Sequence, residues 1–457
     1  MNEMLWRALG LGLVIIWPVY FLACKKIDLQ PALRRLFLIS AMATPAYVVL
    51  KGVISAIYIV DIVGVFLIYL ALRRFSQLQS LARKCALTLF CLLIIMPLFG
   101  TLANYILVSS STEQFSSRGM LGLGIWMYRN LLYFSIFVIA ASYKSDMAKY
   151  KNFIKFFLMM NFAVVLIGAI DYSGLYDFSM YEFLLATVNP RASYHYTTTT
   201  FGWGFLGMFR GSVGQWFANT FLISIAASLM FKGLWRWFAL LLALGSIGLI
   251  FCSLSRAGMV ASMVGPIILM FFMGARGVRV LGPLLLIPLV LVPILKYDAI
   301  TDRFNSIGSY ASSKERNRVD GWGDAISHLS SDMLTFSIGN GATNRDGVAK
   351  LIGAYGAHNE YIDVFFRSGF FGFISMMVFI WQYWFSLLRI RRNAETSLDR
   401  IWLSIGPVIL VQNCVIGIAQ DHLYRDYSGF ASGVIMYLLY GVFLSLPNSK
   451  KLINDKL

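Results

Sequence analysis

The sequence predicts an all-α polytopic membrane protein, a single integral domain over residues 1–457, and three observations carry that prediction. Hydrophobic residues make up 58% of the chain and charged ones 13%, with a mean hydropathy of +0.69. Soluble domains carry about 25% charged residues, so a water-exposed globule is excluded. The apolar residues fall in solid runs of about 20 residues, long enough to cross a bilayer core as helices. A β-barrel would show short alternating strands instead. Finally, the net charge of +17 is gathered into alternate short loops rather than spread along the chain.

The runs can be justified in order. The first, near 5–24, is too long for a cleaved signal peptide and lacks an obvious small-residue cleavage site. Lys25, Lys26, Arg34 and Arg35 follow it, then runs near 36–52 and 53–72 that meet at Lys51. Read as two spans, that pair gives about 13 transmembrane helices and an external N-terminus; one bent or re-entrant element gives about 12 and an internal one. Arg73, Arg74, Arg83 and Lys84 precede the run at 86–108, and Lys144, Lys149 and Lys151 lie between those at 121–142 and 154–171, with Lys155 at the start of the latter.

Four more runs, 215–231, 237–254, 258–274 and 280–296, are joined on the same side by Lys232 and Arg236 and by Arg276 and Arg279. The last three, 369–388, 401–419 and 429–446, bring Arg389, Arg391, Arg392 and Arg400, then Lys450, Lys451 and Lys456. Only Asp28, Asp146, Glu395, Asp399 and Asp455 offset these cations within the same loops. Lys and Arg concentrated on one side mark the cytoplasmic loops. The pattern absorbs the excess charge, so no nucleic-acid partner is expected. Cys24, Cys85, Cys91, Cys252 and Cys414 lie in or beside spans without a CxxC pair, which implies neither a zinc site nor a disulfide framework.

The external side holds two long segments, residues 172–214 and 297–360. Residues 298–357 carry six basic and seven acidic residues, so this loop is nearly neutral. Connections of such length usually have a function. "VDGWGDAISHLSSDM" has the pattern of a short amphipathic helix with Trp322 as an interfacial anchor, and the loop can form a lid over an external cavity. Arg191, Arg210, Arg256 and Arg367 all sit at external ends of spans, while Arg129 falls within one and can pair with Asp61. Charges at membrane depth face a cavity or a partner, and guanidinium forks match phosphate oxygens. Snorkelling to the headgroups is the competing account for any single arginine; an anionic ligand bridging several explains them together. His358 follows a glycine-rich stretch and precedes a helical run, where a neutral imidazole can take a proton from a hydroxyl. Asn359 or Glu360 can fix the ring or bind a sugar hydroxyl. No metal-ligand spacing accompanies the histidines, and no cofactor is expected.

His358-Asn359, nine residues, then Gly369-Phe370-Phe371-Gly372 resembles the signature of the bacterial O-antigen ligase and polymerase superfamily. "SRAG" at 255–258 is similar to the family's external Ser-Arg turn, and "FRGSVGQWFAN" to its Arg-x-Gly helix entry, with Ala218 where proline is common. The resemblance implies a C-type glycosyltransferase-like fold in the bacterial inner membrane, with the active site facing the periplasm. It implies transfer of a glycan from undecaprenyl pyrophosphate to an acceptor hydroxyl, without metal and with inversion. It places the donor pyrophosphate on Arg210 and Arg256, with Arg191 as a looser candidate, and makes His358 catalytic. The intact His-Asn signature favours an O-antigen ligase with lipid A-core as acceptor. The alternative is a polymerase extending the lipid-linked repeat, since an Arg-x10-Gly spacing occurs at Arg191–Gly202 and Arg345–Gly356. A lipid-linked oligosaccharide transporter is the third reading; it would need inverted repeats or broken helices and cations through both halves of the membrane.

Overall fold

The computed structural model describes residues 47–50, 54–108, 117–143, 145–173, 210–253, 255–274, 277–279, 282, 318–341, 359–419 and 430–446. The span expected at 5–24, and all of that at 280–296 except Gly282, lie outside them. Within them the chain is helical apart from one short hairpin, in which β1 (Tyr47–Leu50) pairs antiparallel with β2 (Ile54–Tyr58). The hairpin takes up residues 47–50 and 54–58 of the two runs read on either side of Lys51, and the second run is helical from Ile59 onward. Its strands, YVVL and ISAIY, are rich in β-branched and aromatic residues, which fit a pleated surface better than a helix.

The helices follow as α1 (Ile59–Phe75), α2 (Ser80–Phe90), α3 (Met96–Val108), α4 (Ser117–Ala141) and α5 (Met147–Ser173). After residues 174–209 come α6 (Arg210–Met230), α7 (Leu234–Cys252) and α8 (Arg256–Met273). Two short helices, α9 (Arg318–Ser330) and α10 (Met333–Ile338), precede α11 (Glu360–Arg392), α12 (Ser397–Ala419) and α13 (Phe430–Leu444). A single π-helical turn, Cys91–Ile95, joins α2 to α3 ahead of Pro97, so the run at 86–108 is one interrupted span.

Seven of the described helical segments are long and apolar enough to cross a membrane. Burial sorts them. The α6 window is 94% buried, whereas that of α8 is 33% buried. A helix apolar on all sides belongs in the centre of a bundle, and α6 packs against α7, α8 and α12. The outward faces of the other helices carry Val65, Leu72, Leu234, Trp237, Phe271 and Trp381, all strongly exposed. In water such a surface would aggregate; in a bilayer it meets acyl chains.

Candidate active site where four helix ends meet

The first turns of α6 and α8 touch through glycine. A Cβ on Gly258 would lie 2.8 Å from Gly214 Cα, and one on Gly214 would collide with Ser255. Small residues let helix backbones approach this closely in membranes. Ser255 caps α8 by accepting a hydrogen bond from the Gly258 amide at 3.3 Å, and its own amide donates to Ser253 Oγ at 3.3 Å. The serines and glycine of "SLSRAG" thus form one helix start locked against another.

Arg210 is the first residue of α6 and Arg256 the first of α8. The Gly214–Gly258 contact therefore brings two arginine-bearing helix N-termini together. A helix N-terminus carries the positive end of the helix dipole, which favours anions. The Arg256 side chain is exposed, while only the backbone of Arg210 is described. Arg191 and His358 lie outside the described residues, as do Arg345, Gly202 and Gly356.

The helix that begins after His358 is held to the same end of the bundle. Asn359 caps α11, its Oδ1 accepting from the amides of Tyr361 at 3.0 Å and Ile362 at 3.2 Å. Its Nδ2 donates to the Ile418 carbonyl at 3.0 Å, and Tyr361 Oη donates to the Cys414 carbonyl at 2.8 Å. Both acceptors lie in the last turns of α12. In this arrangement the Asn359 amide acts as cap and strut. Glu360 is buried and lines a cleft with Tyr361, Met376, Phe379, Cys414 and Tyr440, between α11, α12 and α13.

From α12 a seam of buried amides runs to α6. Gln412 Nε2 donates to Asn219 Oδ1 at 2.9 Å, and Asn219 Nδ2 to Asn413 Oδ1 at 3.4 Å. Gln215 Nε2 reaches the same Asn413 oxygen at 3.5 Å, while Asn413 Nδ2 donates to Tyr440 Oη at 3.1 Å on α13. A parallel set ties α6 to α5, with Trp216 Nε1 and Thr220 Oγ1 both donating to Asn161 Oδ1, at 2.7 and 2.9 Å. Buried polar groups must be paired to be tolerated, and each pairing here fixes one helix against another. The expectations drawn from the sequence do not include this seam. Its signal was the polar pairs "GQWFAN" and "VQNC" inside otherwise apolar runs, which are costly there and so rarely idle.

The signature glycines have a mechanical role. Gly369 has φ 63°, and it kinks α11. At that kink the strap Gly339-Asn340-Gly341 crosses, the Asn340 amide donating to the Phe366 carbonyl and the Gly341 amide to that of Arg367, both at 2.8 Å. A Cβ on Gly341 would come within 2.5 Å of Thr101 Cα, and one on Gly100 within 2.6 Å of the Ile338 carbonyl. The strap is therefore wedged between α3 and α11. The loop that carries α9 and α10 is bolted to the bundle, with α9 burying Ala325 and Leu329 against Phe366.

One of the arginines singled out in the sequence has a partner on its own helix. Arg367 Nε pairs with Asp363 at 2.9 Å, one turn back in α11, and both side chains are nearly buried. Arg129 is buried within α4, and the side chain of Asp61 lies outside the described residues.

The bundle of membrane-crossing helices defines the class: a multi-pass membrane protein. Residues 238–377 match the family model described as O-antigen ligase, a stretch running from α7 through α10 to the middle of α11. Over that stretch the chain is similar to the O-antigen ligase family, which supports the resemblance to the O-antigen ligase and polymerase superfamily. Comparison with curated proteins gives no match.

Proposed function

We infer that this protein is a glycosyltransferase that moves a glycan from undecaprenyl pyrophosphate to an acceptor hydroxyl at the periplasmic face of the bacterial inner membrane. The observation that carries the reading is the Gly214–Gly258 contact, which sets the helix starts of Arg210 and Arg256 side by side. A pyrophosphate leaving group needs its developing negative charge stabilised, and fixed cations and amide dipoles in a water-poor site do that well. Arg191 is the third candidate cation. His358 takes the proton of the acceptor hydroxyl as that oxygen bonds to the anomeric carbon. The bond from the anomeric carbon to pyrophosphate breaks, and a single displacement inverts the configuration. Asn359, by tying α11 to α12, holds the residue beside His358 in register with the arginine-bearing ends.

Lipid A-core is the favoured acceptor, which makes the enzyme an O-antigen ligase. The Arg-x10-Gly pair in the external segments supports a polymerase as the second reading. Purified protein in lipid, given a lipid-linked donor and either lipid A-core or a second donor molecule, separates them. Modified lipid A supports the ligase, and a ladder of lengthened donor supports the polymerase. Donor left intact in both reactions would overturn the assignment as a transferase.

A further inference from the structure

We propose that α10 is an interfacial helix, its Met333, Leu334 and Phe336 side chains seated among lipids at the headgroup–acyl boundary. The inference does not depend on the transferase reading. Four of the six residues in MLTFSI are apolar, yet α10 buries none of its own residues. Met333 is 85% exposed. A helix so apolar and so uncovered would be costly in water.

Its position says what covers it. Phe370, Phe371, Ile374, Val378, Trp381 and Phe385 are the exposed apolar residues of α11. At 100° per residue they share one side of the helix. From Phe370 to Arg389, the first basic residue of the last turn, the helix rises roughly 29 Å at about 1.5 Å per residue. That matches the ~30 Å thickness of a bilayer's hydrocarbon core, so Phe370 marks its outer edge. Phe336 stacks on Phe370 with ring centroids 5.7 Å apart and planes at 16°. The strap at Asn340 and Gly341 fixes α10 at that level by backbone hydrogen bonds. The apolar face of α10 thus continues the lipid-facing row of α11. Asp332 caps the helix, accepting from the Thr335 amide at 2.8 Å and the Thr335 hydroxyl at 2.9 Å. Helices lying in the interface bury their apolar side chains about 5–10 Å into the boundary.

The test uses the full-length protein with its native cysteines replaced, reconstituted in phospholipid vesicles. A nitroxide is placed at Met333→Cys or Leu334→Cys, with Val378→Cys as the lipid reference and exposed Ser327→Cys on α9 as the water reference. The expected result is an oxygen-to-nickel-chelate accessibility ratio at 333 and 334 several-fold above that at 327 and close to that at 378. A ratio equal to that at 327 overturns the proposal. Low accessibility to both reagents also overturns it, because a second protein copy rather than lipid would then cover the helix.

Discussion

Asn359 shows how little of a side chain's role its type reveals. In the sequence it stood beside His358 as a group that could hold the ring or a sugar. In the structure its oxygen caps α11 and its nitrogen reaches Ile418. Asn359→Ala removes both, and loss of such a cap costs about 1 kcal/mol. The expected outcome is a lower thermal midpoint for the purified protein, measured by intrinsic fluorescence on heating. The candidate chemical residues should separate kinetically. His358→Ala is expected to abolish turnover while leaving donor binding largely intact, since a base acts on the acceptor. Arg256→Ala should weaken donor binding as well as turnover. Isotope-labelled donor binding beside single-turnover transfer distinguishes the two, and full transfer by His358→Ala at normal expression would remove it as the base.

At the scale of elements, the kink of α11 and the strap across it carry the most constraint. Gly369 has φ 63°, and a Cβ there would approach the Gly339 amide nitrogen to 2.5 Å. Gly369→Ala therefore meets both backbone strain and a backbone collision, and is expected to cost more than ~1 kcal/mol. A fall in thermal midpoint larger than that of Gly248→Ala, where nothing lies within 4 Å of a Cβ, checks this. The cap of α10 makes a pH-dependent prediction. Hydrogen bonds from the Thr335 amide and hydroxyl hold the Asp332 carboxylate below its ordinary pKa. A group depressed in the folded state stabilises it above its unfolded pKa and loses that contribution as pH falls through the folded value. The protection of the Thr335 amide, its exchange rate relative to the unstructured rate at the same pH, should therefore fall on acidification into that acid range, and Asp332→Asn should blunt the change.

At the scale of the whole molecule, the amide seam couples α6, α12 and α13, and so couples the Arg210 helix to the start of α11. Gln412→Leu or Asn219→Leu alone leaves a buried amide short of its partner, at about 1–3 kcal/mol. The double substitution removes the pair together, so its cost should fall below the sum of the two singles by ~0.5–3 kcal/mol. Additive midpoint shifts would mean that the two side chains do not act as a unit. Gly265 is the permissive feature here, because a Cβ on it would strike Gln412 Oε1. The α8–α12 contact is close for that reason.

The sequence by itself determined the class. Apolar length and one-sided cations follow directly from the bilayer's thickness and the cost of moving charge across it, so most spans are legible within a few residues. It also marked the helix starts at Arg210 and Arg256, because serine, glycine and arginine are conspicuous between apolar runs. The hairpin at Tyr47–Tyr58 was not legible, since a short apolar run satisfies strand and helix alike. Only the tertiary structure decided which polar residues bind one another. Gln215, Asn219, Gln412 and Asn413 lie up to 198 residues apart in the chain, and no local pattern encodes that meeting. The same holds for the signature glycines. Their spacing is visible in the sequence, but the strap that requires Gly369 to lack a side chain comes from another segment. Close approach between distant parts of a chain is a property of packing, and packing is fixed only when the helices assemble.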